Sequence, residues 1–127
     1  MLAVMLFAPA QAAAPSKAEN PGNLGEDLFY ASTAASGSKL CNRVQAARYS
    51  RQFDSRYGKR IRALTRYHER QFGRDPDFIY TSDCRSSRAP RQQQDREHAQ
   101  AMDRFEAILE GLEQRYGPTR SRTSKGS

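Results

Sequence analysis

CNRVQAARYSRQFDSRYGKRIRALTRYHERQFG, residues 41–73, is the stretch on which the fold turns. Tyr49, Phe53, Tyr57, Ile61, Leu64, His68 and Phe72 recur at spacings of four, four, four, three, four and four. That is the apolar stripe of one helix face, and it stays in phase through Gly58. Periodicity alone predicts one helix over about 40–72. Leu40, Val44 and Ala47 form a second stripe on another face of the first half, a pattern expected of a helix central in a bundle.

The two cysteines bear on the same stretch. Cys41 and Cys84 are an even pair without zinc-ligand spacing, which in an oxidising compartment reads as one disulfide. A straight helix from Cys41 to Phe72 rises about 47 Å. The twelve links from Phe72 to Cys84 reach at most about 40 Å, and a disulfide adds about 5.5 Å between Cα atoms. The sum falls short, and Asp75-Pro76 reads as a helix cap followed by a first-turn proline, which shortens the path further. The bond and an unbroken helix therefore exclude one another on this count. The expectation is two helices, about 38–57 and 59–72, turning at Gly58. Phe78, Ile79 and Tyr80 then plug the end of the bundle, pinned by Cys41–Cys84 within an ordered 73–89 loop.

The flanks extend this plan. Met102, Phe105, Leu109, Leu112 and Tyr116 recur at spacings of three, four, three and four, with Ile108 beside them. They predict a helix over about 90–116, with Pro90 in its first turn, Ser86 or Ser87 near its cap, and a stop at Gly117-Pro118. "SRYG" at 55–58, "RQFG" at 70–73 and "QRYG" at 114–117 each read as a helix stop, because glycine accepts the left-handed conformation beyond a helix end. "GEDLFYASTAASG" at 25–37 suits a short helix over about 26–36, with Glu26 and Asp27 in its first turn, Leu28, Ala31 and Ala35 on one face and Gly37 at its end. The fold class is all-α, a small bundle of three to four helices within one domain, 24–118.

The ends read differently. Leu2–Ala8 is a short apolar segment broken by Pro9 and followed by Ala10-Gln11-Ala12 and Ala12-Ala13-Ala14, both small-x-small. Residues 1–14 therefore resemble an export signal, although no Lys or Arg precedes the apolar segment. Residues 15–23 read as a linker and 119–127 as a disordered basic tail. There is no apolar run of transmembrane length. Periplasmic or secreted localisation follows from the signal.

The formal charge of +7 is concentrated. Segment 37–75 holds eleven Lys and Arg against Asp54, Glu69 and Asp75. Within it Lys59, Arg62, Arg66 and Arg70 recur at spacings of three, four and four, a ridge roughly opposite the apolar stripe. It is the candidate binding ridge for a protein or an anionic envelope component. Asp103, Glu106, Glu110 and Glu113 form an acidic ridge on the last helix; the basic ridge points away from its own seam, which argues against full pairing of the two. "RYSRQFDSRYGKR" has the composition of nucleic-acid surfaces, but Tyr49, Phe53 and Tyr57 lie on the core stripe. A nucleic-acid-binding role is the alternative if the chain is not exported; a periplasmic chaperone-like role is another.

Catalytic motifs are missing. There is no Gly-x-Ser-x-Gly turn and no phosphate loop, and at His68-Glu69 the second histidine of His-Glu-x-x-His is replaced by Phe72. His68 and His98, with Asp95 nearby, are weak metal candidates; an antiparallel pairing of their helices would bring them into neighbouring layers. Two histidines completing apolar seams is the plainer reading, so neither a metal nor a cofactor is assigned and the expectation is a non-enzymatic binding module.

Overall fold

Two asparagines start the first two helices. Asn23 accepts a hydrogen bond from the Glu26 amide at 2.9 Å, and Asn42 accepts one from the Gln45 amide at 3.0 Å. Each satisfies a first-turn N–H that has no partner within its helix. A computed structural model of the chain describes residues 19–80 and 83–118. In it α1 spans Leu24–Ser36, α2 Arg43–Phe72 and α3 Arg91–Tyr116. The protein is a small all-α bundle with one disulfide, Cys41–Cys84, and the described residues contain no strand. The signal-like residues 1–14, the first part of the expected linker, 15–18, and the tail 119–127 lie outside the described residues; just before α1, the Pro21 carbonyl accepts from Arg115 at 2.7 Å.

α1 stops at Gly37, whose φ of 71° and ψ of 11° are left-handed. A Cβ there would also fall 2.7 Å from the Tyr49 Cβ, so both backbone and space require glycine. Gly73 and Gly117 end α2 and α3, their amides donating to Glu69 and Glu113 carbonyls at 2.8 Å each. At α3 the cap position is Pro90 itself, with no side-chain cap bond; Ser86 and Ser87 do not fill it.

The expected break at Gly58 does not occur. α2 is one 30-residue helix, and the disulfide forms nonetheless. Two assumptions of the length argument fail. The helix begins at Arg43 rather than Cys41, so its rise is about 44 Å. And Asp75-Pro76 starts no helix: 73–80, 83 and 84 run without helix or turn, so the segment keeps nearly its full reach. A Cα separation of 4.8 Å at the disulfide closes the rest. Glycine within a helix costs about 1 kcal/mol relative to alanine. Burial of the in-phase stripe on both sides of Gly58, at Tyr57 and at Leu64, outweighs that cost.

Contacts fix the topology. Tyr49 stacks on His98, Tyr57 donates to the Met102 carbonyl at 2.6 Å, and His68 meets Tyr116 edge-on. Partners therefore advance together, and α2 and α3 are parallel. α1 runs opposite to both, with Ala35 beside His98 and Asp27 beside Tyr116. Parallel helices need a long return connection, and the described residues 73–80 and 83–90 supply its two parts along the flank of α1. There Gly25 donates to Asp75 at 3.0 Å, Asn23 donates to the Pro76 carbonyl at 2.7 Å, and the Leu40–Arg85 bridge closes the far end.

The core is Leu24 and Ala35 from α1, Tyr57 and Leu64 from α2, and Ala101, Met102, Phe105, Leu109 and Tyr116 from α3. Phe53 and Tyr57 each pack edge-on or tilted against Phe105 or one another at ring separations of 5.0–5.6 Å. The expected second stripe of α2 is not a core face: Val44 is 80% exposed and Ala47 is exposed. α1 covers one side of the α2–α3 pair, so among the described residues no neighbour reaches that face.

Candidate functional site

Lys59, Arg62, Arg66 and Arg70 are all exposed, because the stripe on the opposite side of α2 faces α1 and α3. Arg62 also reaches back to Asp54 at 3.1 Å, across Gly58. Both partners are more than half exposed, so this pair contributes little to stability. Lys59, Arg66 and Arg70 make no ion pair among the described residues.

A different set of arginines occupies the acidic ridge of α3. Arg48 pairs with Asp95 at 2.6 Å, Arg56 with Asp103 at 3.1 Å, and Arg60 with both Glu106 and Glu113 at 2.8 Å. Arg60 forks onto Glu113 through two nitrogens, at 3.1 and 2.8 Å. Its hydrogen bonds, with Glu113 foremost and then Glu106, raise its already high pKa against the opposing effect of burial. These residues flank the apolar stripe and so can reach the parallel neighbour; the ridge residues cannot. The ridge thus remains a solvent-facing row of cations, with Asp103, Glu106 and Glu113 of the acidic ridge already engaged by Arg56 and Arg60.

At the α3 N-terminal end the pairing becomes a network. Asp95 accepts from Arg48 and from the Tyr49 hydroxyl, each at 2.6 Å, and Tyr49 accepts from the Gln45 amide at 3.0 Å. Burial and then the bond to Asp95 push the Tyr49 phenol up to about 12. That same bond, followed by the nearby Arg48, holds the Asp95 carboxyl below its ordinary range. Tyr116 is bound likewise to Asp27; burial and this bond push its phenol to about 12.

The two histidines lie apart. The expected antiparallel pairing is replaced by a parallel one, so His98 sits level with Tyr49 and His68 nineteen residues further along α2, a rise of about 28 Å. His98 donates from Nε2 to the Ala35 carbonyl at 2.7 Å, which leaves that nitrogen protonated. His68 is 1% exposed; its Nε2 lies 2.9 Å from Asp75 and its Nδ1 is buried without a hydrogen-bond partner. Among the described residues no group of three or more His, Cys, Asp or Glu side chains is placed to hold a metal.

The loop aromatics also depart from expectation. Phe78, Ile79 and Tyr80 do not plug the bundle end. They lie on the outer flank of α1, where Phe29 contacts Tyr80 at 4.1 Å and Phe78 at 6.0 Å between ring centroids. Side chains of an extended segment alternate in direction, so Ile79 between them points outward and is 93% exposed. Tyr30 joins this surface. The alternation within "DFIY" was the available signal.

No family model matches this chain, and neither a curated protein nor a solved structure does.

Proposed function

We propose that this protein is an exported, non-enzymatic binding module that presents the Lys59–Arg62–Arg66–Arg70 ridge to an anionic partner, a protein or an anionic component of the cell envelope. The observation that supports this reading is the division of labour among the α2 cations. Arg48, Arg56 and Arg60 engage the carboxylates of α3, while Lys59, Arg66 and Arg70 stand in solvent without acids opposite them. Like charges at this spacing cost a few tenths of a kcal/mol per pair and contribute nothing to the core. An anionic surface repays that cost and gains on-rate from the field of the row.

Export is supported by the signal-like residues 1–14 and by the disulfide, which persists in oxidising compartments. No described helix is long and apolar enough to cross a membrane. The test is capture from an envelope fraction with the full chain and with Arg62→Gln, Arg66→Gln and Arg70→Gln combined. The expected result is an unchanged thermal midpoint, reduced capture and a flatter salt dependence. Equal capture by both proteins refutes the reading.

A further inference from the structure

A cavity of about 490 Å³ opens at the other end of the molecule, where the end of α1, the Lys39–Leu40 connector, the return loop and the first turns of α3 meet. Its size is that of a small-molecule site. Lys39, Arg85 and Arg104 line it, each from a different segment of the chain. None of their side chains makes an ion pair or hydrogen bond with a described residue. Among the described residues Glu97 is the one carboxylate in the lining, and its Oε2 accepts from Gln93 at 3.1 Å. Three cations thus share one concavity with a single acid, in a protein whose inward arginines otherwise each hold a carboxylate. Nothing in the packing repays this concentration of like charge.

The rest of the lining is amphipathic. Tyr49 and His98, stacked at 4.0 Å and 13° and both nearly buried, lie at its base with Ala101. Both rings are already fixed, His98 by the Ala35 carbonyl and Tyr49 by Asp95, so the base is preformed. The wall carrying Lys39 and Arg85 is held in place as well. Cys41 donates to the Arg85 carbonyl at 3.0 Å, Arg85 donates to the Lys39 carbonyl at 2.6 Å, and the disulfide lies beside them.

We infer that this cavity binds a small organic phosphate, its dianion held by Lys39, Arg85 and Arg104 and its apolar body lying over the Tyr49–His98 base. Two guanidinium forks and an ammonium, less the Glu97 carboxylate, carry two net positive charges and match a phosphate dianion in charge and in hydrogen-bonding groups. A single carboxylate would leave the cations under-neutralised. The site is separate from the ridge: Arg62 lies thirteen residues beyond Tyr49 on α2, about 20 Å.

Phenyl phosphate is a direct probe, titrated into the oxidised full chain at near-physiological salt with amide NMR shifts as the readout. The expected result is saturable shifts centred on Leu40, Arg85, His98 and Ala101, with affinity at least about tenfold above that for neutral phenol or for inorganic phosphate. Arg85→Gln combined with Arg104→Gln is expected to keep the thermal midpoint, since both side chains are exposed, and to weaken binding about tenfold or more. The triple glutamine change in the ridge is expected to leave it unchanged. Equal binding of phenol, shifts centred on 59–70, no saturable shift at millimolar phenyl phosphate, or undiminished binding by the double variant each overturn the inference.

Discussion

His68 and Asp75 meet at 2.9 Å, one a buried side chain near the end of α2 and the other the third residue beyond that helix. The contact fastens the return loop at its root. The same carboxylate accepts the Gly25 amide at 3.0 Å, so an aspartate that reads as the cap of a following helix in fact caps the start of α1. Asp75→Ala removes a first-turn acceptor and leaves a fully buried imidazole with no partner on either nitrogen. The expected loss is about 2–4 kcal/mol in chemical denaturation. Asp75→Asn keeps an acceptor for Gly25 and should lose less; equal losses for the two would show that hydrogen bonding is not what Asp75 contributes.

Stability should decline at both extremes of pH, and the two declines have different origins. Burial first of all lowers the His98 pKa from its ordinary 6.5, so the folded state disfavours the imidazolium. A depressed folded value means that its contribution is present above about 6.5 and is lost as the pH falls through the lower folded value. Burial alone would raise the Asp75 carboxyl, but the Gly25 amide and His68 outweigh it and hold it below 3.8. Its contribution is present above that value and disappears in stronger acid. At the alkaline end Tyr49 and Tyr116 are raised from 10.0 to about 12. A raised folded value means that their contribution is present below about 10 and is lost as the pH climbs through about 12. Thermal midpoints across pH, with phenolate absorbance in the alkaline limb, check this. Phenolate formation by all tyrosines near 10 without unfolding would contradict it.

Gly58 offers a test of the unbroken helix. A Cβ there would fall on the Asp54 carboxylate and 3.0 Å from the Arg62 guanidinium, both flexible and more than half exposed. These side chains can swing away. Gly58→Ala should therefore stabilise the protein by up to about 1 kcal/mol through helix propensity. It should also free Arg62 from Asp54 and strengthen the ridge's attraction for anions. Marked destabilisation would mean that the chain needs a bend at this residue.

The seam of α3 was legible because Met102, Phe105, Leu109 and Tyr116 have one face to bury and all lie on it. The disulfide was legible from the even cysteine pair, and the stops at Gly37, Gly73 and Gly117 from residue type; the left-handed conformation expected of them is taken at Gly37, whereas Gly73 has a φ of 85° with an extended ψ and Gly117 is extended with a φ of −96°. The direction of α3 relative to α2 was not, since an apolar stripe packs equally well in either sense. From that unknown followed the misplacement of His68 near His98, whereas Phe78, Ile79 and Tyr80 were set at the bundle end by the expected turn at Gly58. Gly58 was misread because helix and loop lengths compete within a few ångströms, and where the helix begins decides the outcome. The ridge was readable by angle alone; that Arg56 and Arg60, rather than Arg62 and Arg66, hold the acids of α3 follows once the apolar seam is placed. The Lys39–Arg85–Arg104 cavity draws on three separate segments and had no linear signature.

Cys84→Ser opens a 43-residue loop. The expected cost is about 2–4 kcal/mol by denaturation. Hydrogen exchange should rise first at the Cys41 and Arg85 amides, which donate to the Arg85 and Lys39 carbonyls beside the disulfide, and phenyl phosphate binding should weaken with them. Unchanged exchange there would make the bond incidental to that end of the protein.

The continuous α2 and the segment that returns beside α1 form a closed ring, like a bow and its string. A helix advances 1.5 Å per residue and an extended chain about 3.3 Å. The thirty residues of the bow are matched by twelve links of string with almost nothing to spare. The ring therefore responds asymmetrically to length. Extra residues between Gly73 and Cys84 can bulge into solvent, whereas loss of one or two must part the cysteines or unwind the end of α2. Lengthening α2 by a full turn requires about two more residues in the string. Any descendant that keeps this disulfide can lengthen α2, or shorten the string, only by changing the other as well.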